Sequence, residues 1–228
     1  MILTKNSQFK DSLDSSSQSD IVIIFNLGGW GNAPLEKADD LAPIARGVEK
    51  KLNDLGHKPA IVLYKRTKEG FLSKFGGIAE ILNNFKKQSR ELAGEINDFL
   101  EHSPETGIIM VGLSSGAAFV DETMKKISGK FIGSVYAIEV GLPFWRKKAD
   151  SKNILRLDNG NKDAVSKGDV KCLLTALLKA PFIWVNGRIS GKEISFPLSF
   201  HVSSHEYPWG SPEVGEKITS FLEDRFGK

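Results

Sequence analysis

Short, almost uninterrupted aliphatic runs alternate along this chain with segments whose apolar residues recur every three or four positions. Ile21 to Phe25, Ala60 to Tyr64, Ile108 to Val111, Phe131 to Val140 and Ile154 to Leu157 are the aliphatic runs. Runs of this kind predict strands buried on both faces. Between them, Leu41, Ile44, Val48, Leu52 and Leu55 keep helical spacing, with Pro43 tolerable in a first turn and Gly56 as the stop. Phe85, Leu92, Ala93, Ile96, Phe99 and Leu100 form the stripe of a long helix that ends before Pro104. Further on, Val170 to Leu178 predicts a helix and Ile194 to Phe200 an extended segment. A last helix opens at Ser211-Pro212-Glu213, an N-cap followed by proline, and carries Val214, Ile218, Phe221, Leu222 and Phe226 on one side. This β–α alternation predicts an α/β fold: a mostly parallel sheet with helices on both faces, forming one domain over residues 21–228. Function is then expected at the carboxyl ends of the strands. Residues 1–20 are polar and serine-rich and read as a disordered arm, or as the stump of a trimmed targeting segment.

Composition narrows the function classes only a little. The net charge is +3 in 228 residues, which by itself argues neither for nor against nucleic acid, and no nucleic-acid partner is expected. The densest basic cluster, Arg146-Lys147-Lys148, reads as a solvated helix start. The single cysteine, Cys172, excludes an intrachain disulfide and reads as a small buried hydrophobe. Among four histidines, His201 and His205 lie four apart on strand and turn rather than on one helix face, so no metal site is expected. No transmembrane segment or signal peptide is visible, which makes the cytoplasm the default location. The pattern selects no oligomeric state.

The strongest local feature is Gly112-Leu113-Ser114-Ser115-Gly116, placed between the Ile108 strand and a helix. A serine in such a turn is lifted above the sheet edge, and the flanking glycines leave room for neighbouring backbone. The helix behind it offers N–H groups and a partial positive charge where an oxyanion would form. The competing reading is a tight turn whose serine only caps the helix. Downstream, the Ile154 strand runs into Asp158-Asn159-Gly160-Asn161-Lys162-Asp163-Ala164-Val165, and Ser204-His205-Glu206-Tyr207 precedes the terminal helix.

With elbow, acid loop and histidine loop in that order, the chain resembles the α/β-hydrolase superfamily in a compact form without a cap, over nearly everything after residue 20. The resemblance implies Ser114 as nucleophile, His205 as base and Asp163 as the acid orienting it. Asp158 and Asp169 remain rival acids, and His201 a rival base. Asn26-Leu27-Gly28-Gly29-Trp30-Gly31 resembles the oxyanion loop of that family, which implies backbone donors at Leu27 or Gly28 together with Ser115. The histidine-glycine pair common in that loop is replaced here by Phe25-Asn26. The same glycines roughly fit a dinucleotide fingerprint, but Pro34 stands where the third glycine belongs and the next strand ends in Lys65. No cofactor is therefore expected.

Only 49 residues separate Ser114 from Asp163, too few for a helical cap. Trp30, Phe144 and Trp209 follow elements that should surround the mouth and are expected to form an apolar rim for an acyl chain. The aromatic stretch from Ala180 to Phe200 fits either a packed hairpin or a pocket wall. The expected activity is hydrolysis of a small acyl ester or thioester through an acyl-enzyme. The alternative is an inactive binding or scaffold protein of the same fold.

Overall fold

A computed structural model describes residues 5–27, 41–66, 85–145, 151–160, 162–190 and 206–227. Five strands form one sheet: β1 (Ile21–Asn26), β2 (Pro59–Leu63), β3 (Gly107–Leu113), β4 (Val135–Val140) and β5 (Ile154–Leu157). They lie in the order β2-β1-β3-β4-β5, and every pairing is parallel. The aliphatic runs of the sequence are the strands. Inside the sheet β1, β3 and β4 are buried almost throughout, because a parallel sheet covered on both faces leaves no polar side for alternation, while the edge strands β2 and β5 are only partly buried.

Strand register divides the core in two. Val22, Ile24, Ile108, Met110, Val135 and Ala137 face one layer. That layer is formed by helices α1 (Lys5–Ser15), α3 (Lys86–His102) and α4 (Ser115–Met124). Ile21, Ile23, Phe25, Ile109, Val111, Ile138 and Val140 face the other. There α2 (Leu41–Asp54) packs beside the carboxyl-terminal helix α7 (Lys217–Phe226). The remaining helices are α5 (Ala164–Lys167), a single turn, and α6 (Val170–Ile189).

Three expectations need revision. The arm before residue 20, expected to be disordered, is helical from Lys5, and Phe9 and Leu13 of α1 are buried against the sheet. Two apolar side chains on one face suffice once Tyr64 offers a partner; the Phe9 and Tyr64 rings meet edge-on at 4.9 Å. Helix α6 continues past Leu178 and through Pro181 to Ile189, so the first half of the aromatic stretch is helix rather than hairpin. Phe182 and Ile189 lie 72% and 79% exposed on it. Residues 191–200, with the expected Ile194 strand, lie outside the described residues. Ser211 makes no side-chain cap. Its carbonyl instead accepts from Val214 N and Gly215 N, and Pro212–Glu216 winds as one wide π-type turn before α7.

Candidate active site

Chain and packing together build the elbow. Ser114 leaves β3 with φ 54° and ψ −114°, a conformation that L-residues avoid and that costs roughly 1–3 kcal/mol. Its N–H donates to the Val140 carbonyl of β4 and its carbonyl accepts from Ala118 N, so sheet and helix fix the turn from both ends. The hydroxyl makes no cap bond to α4, which removes the reading of Ser114 as a mere helix cap. The serine is half-buried.

Both glycines are steric requirements. A Cβ on Gly112 would sit 2.5 Å from the Gly116 carbonyl group, and one on Gly116 only 2.1 Å from the Asn26 carbonyl oxygen of β1. The start of α4 is thus wedged against the end of β1. From β1 the chain leads to β2 on one side and to β3 on the other, the reversal point at which open α/β sheets bind ligands.

Asp163 lies fully buried in the loop after β5. Its carboxylate accepts from Val165 N at 2.8 Å, from Ser166 Oγ at 2.9 Å and from the Tyr207 hydroxyl. The first of these bonds makes it the N-cap of α5. The rival Asp158 is half-buried, and its carbonyl accepts from Lys162 N and Asp163 N, which ties down the turn. Asp169 is exposed. Nothing in the sequence singles out Tyr207 beyond its place in the histidine loop. Burial, and then the neighbouring Asp163 carboxylate, hold its phenol well above the usual range, so it stays a donor. Asn159 Nδ2 also donates to the Glu206 carbonyl at 3.2 Å. Two bonds therefore tie residues 206 and 207 to the acid loop. His205, His201, Gly28 and Trp30 lie outside the described residues.

The other expected residues divide. Phe144, half exposed, lies over Gly168 just beyond α5 and meets Trp145 edge-on at 5.1 Å, so an apolar pair borders the acid loop. Trp209 is not a rim residue. It packs against the α2–α7 layer, with its indole where a Cβ on Gly47 would come within 2.3 Å. A tryptophan after a loop reads equally as rim or wedge; the small residue opposite it decides. Leu27 is buried, and its carbonyl accepts from Arg66 Nη2 at 2.6 Å. The same nitrogen donates to Ser115 Oγ at 3.0 Å.

Under the elbow helix, the α4-facing side chains of β4 and β5 include a buried charge cluster. Arg156 Nε donates to Glu139 Oε2 at 2.8 Å, and Arg156 Nη2 lies 3.4 Å from Asp121 Oδ1. Lys125 Nζ closes the group at 2.5 Å from Asp121 Oδ2. Burial, followed by repulsion from Asp121, raises the Glu139 carboxyl to about 8 despite Arg156. Because the folded state holds this proton more tightly than the unfolded chain, stability is full below the ordinary carboxyl range. It is lost as pH rises from about 4.5 to about 8. Wild type should lose on the order of 1 kcal/mol per pH unit relative to Glu139→Gln across that window. Parallel urea melts at pH 5 and pH 8 check this, and equal pH slopes for the two proteins would contradict it.

Among the described residues, no group of three His, Cys, Asp or Glu could hold a metal ion, and no helix is long and apolar enough to cross a membrane. No protein-family model matches the sequence, and no curated protein matches it. Among solved structures, the chain is similar to a Trichoderma reesei cutinase in complex with a C11Y4 phosphonate inhibitor. The TM-score is 0.51 at 12% identity, over 98% of this chain and 89% of that one. It is also similar to a cutinase-like protein from Cryptococcus sp., with TM-score 0.45 at 13% identity, over 91% and 95% of the two chains. The parallel five-stranded sheet, the helices on both faces and the serine turn after its central strand therefore give this chain the α/β-hydrolase fold.

Proposed function

We propose that the protein is a serine hydrolase that cleaves a small acyl ester or thioester through an acyl-enzyme. The observation that carries this reading is the Ser114 turn: a strained backbone at the sheet's reversal point, with a hydroxyl not spent on capping. Strain of this kind persists where it positions a reacting group. In the proposed reaction Ser114 Oγ attacks the acyl carbonyl while His205 takes its proton. The negative charge that develops on the carbonyl oxygen is met by the backbone N–H of Ser115, at the start of α4, and by that of Leu27 or Gly28. The imidazolium then protonates the leaving alcohol or thiol. Water, deprotonated by the same imidazole, releases the acid and restores the serine.

Asp163 is the acid in this scheme. Its support is the Tyr207 and Asn159 bonds, which hold the residues directly after His205 against the acid loop. Cutinase is the activity in the name of the Trichoderma reesei structure, and it belongs to the same reaction class. No cofactor enters the scheme, and Phe144 with Trp145 offers an apolar border for the acyl chain.

Labelling with a fluorophosphonate probe tests the proposal, since the probe needs an activated serine and not merely a folded domain. Stoichiometric labelling lost in Ser114→Ala is the expected result. A folded protein that never labels would favour the binding-protein reading.

Asp163→Asn should lower kcat by about a thousandfold or more through loss of the imidazole's orienting partner. It should also lower the melting temperature, because the buried carboxylate accepts from three donors and the amide nitrogen cannot replace an acceptor oxygen. Asp158→Asn should leave kcat nearly unchanged. Steady-state kinetics and melting curves of both variants check this, and a larger kcat loss at Asp158 would move the acid to the strand end.

A further inference from the structure

Arg66 is an arginine with 2% of its surface exposed, three residues beyond β2. Its carbonyl accepts from Gln88 Nε2 of α3 at 2.8 Å, which fixes its backbone. Its guanidinium carbon lies 5.2 Å from the Phe85 ring centre and 5.8 Å from that of Phe119, so two aromatic rings flank the charge. Burying a guanidinium is costly, and the bonds it makes indicate its role. One nitrogen, Nη2, donates both to the Leu27 carbonyl and to Ser115 Oγ. Leu27 follows the first strand, and Ser115 opens the elbow helix. These are the two chain segments that supply oxyanion donors in the reaction above.

We propose that Arg66 is a positioning residue that clamps the two halves of the oxyanion site at a fixed separation. The proposal rests on the serine-hydrolase reading. Holding the Leu27 carbonyl fixes the plane of the peptide that leaves Leu27, because the peptide unit is rigid. Holding Ser115 Oγ fixes the residue whose N–H faces the developing charge. Lysine should substitute poorly, since its compact, strongly hydrated ammonium is costlier to bury and lacks the flat face that the Phe85 and Phe119 rings flank.

The test uses the full chain, with p-nitrophenyl butyrate as substrate and Ser114→Ala as reference. Arg66→Gln should lose about 10- to 100-fold in kcat with KM within about twofold, because the donors matter more in the transition state than in substrate binding. Added guanidinium chloride at non-denaturing concentration should restore part of the Arg66→Gln rate and none of the Ser114→Ala rate. Arg66→Lys should retain less than about a tenth of wild-type kcat.

Where Arg66→Gln fails to fold, Ser115→Ala tests the same clamp from the other end. It keeps the Ser115 N–H, removes the Oγ acceptor, and should lose about 3- to 10-fold in kcat. Wild-type kcat in a folded Arg66 variant or in Ser115→Ala overturns the clamp while leaving the hydrolase reading intact. So does a loss confined to KM or to melting temperature. Equal hydrolysis by wild type and Ser114→Ala overturns the hydrolase reading itself.

Discussion

Ser114→Ala is expected to remove hydrolysis almost entirely, by on the order of a millionfold in kcat, while the protein stays folded. The size of the loss follows from the covalent role proposed for the hydroxyl: without Oγ no acyl-enzyme could form, and the proposed base and oxyanion donors would have no nucleophile to assist. Folding should survive because Ser114 Oγ makes no cap bond whose loss would be felt, and alanine bears the same backbone strain. Ser114→Gly sharpens the point. Glycine adopts φ 54° without the steric penalty of a Cβ, so this variant should be as inactive as Ser114→Ala but more stable, by up to about 1 kcal/mol. Turnover of a chromogenic ester together with urea melts of the three proteins reads both effects. Wild-type turnover in Ser114→Ala would end the hydrolase assignment.

Gly116→Ala is expected to be the most damaging Gly→Ala substitution among the described residues. The added carbon would stand 2.1 Å from the Asn26 carbonyl oxygen and 2.8 Å from that of Leu27. Both obstacles are backbone, so no rotamer change relieves the contact. Helix α4 would have to withdraw from β1, breaking the contact of the elbow with the Asn26–Leu27 backbone along with the packing beneath it. A cost of about 3 kcal/mol or more follows, a large share of the stability of an ordinary domain. Gly94 provides the control. It lies inside α3, and a Cβ added there would meet nothing within 4 Å. Gly94→Ala should therefore stabilise by roughly 0.5–1 kcal/mol. The difference between these two Gly→Ala melts measures how tightly the elbow is wedged. Similar stabilities for both variants would mean that α4 can slide freely.

The sheet was legible because burial on both faces writes strands as unbroken aliphatic runs. The elbow was legible because two backbones in contact demand glycine at both Gly112 and Gly116. Asp163 entered as an expectation of the family resemblance, beside Asp158 and Asp169, and the sequence did not reveal that Tyr207 would bind it. Arg66 left no trace. A single arginine after a strand forms no pattern, and its partners Leu27 and Ser115 stand 39 and 49 residues away. Helix α1 was missed because Phe9 and Leu13 are sparse among polar residues and find their partners only in the assembled core. Glu139 and Arg156 were visible as lone charges within apolar strands, in VYAIEV and ILRL, but only the register that sets them side by side makes them a pair.

The position of α7 in the chain has a consequence for biosynthesis. Val214, Ile218, Phe221 and Leu222 close one layer of the core against strands made far earlier, β1, β3 and β4. A ribosome therefore extrudes the whole sheet before the helix that covers half of that face exists. Until then, among the described residues, α2 is the helix that covers Ile109, Val111, Ile138 and Val140. The parallel strands also pair across long stretches of sequence, as Ile21 does with Gly107, which slows their assembly. The nascent chain should thus be a chaperone client until translation passes residue 222, and chains arrested before residue 211 should remain bound to a holdase that releases the full-length protein.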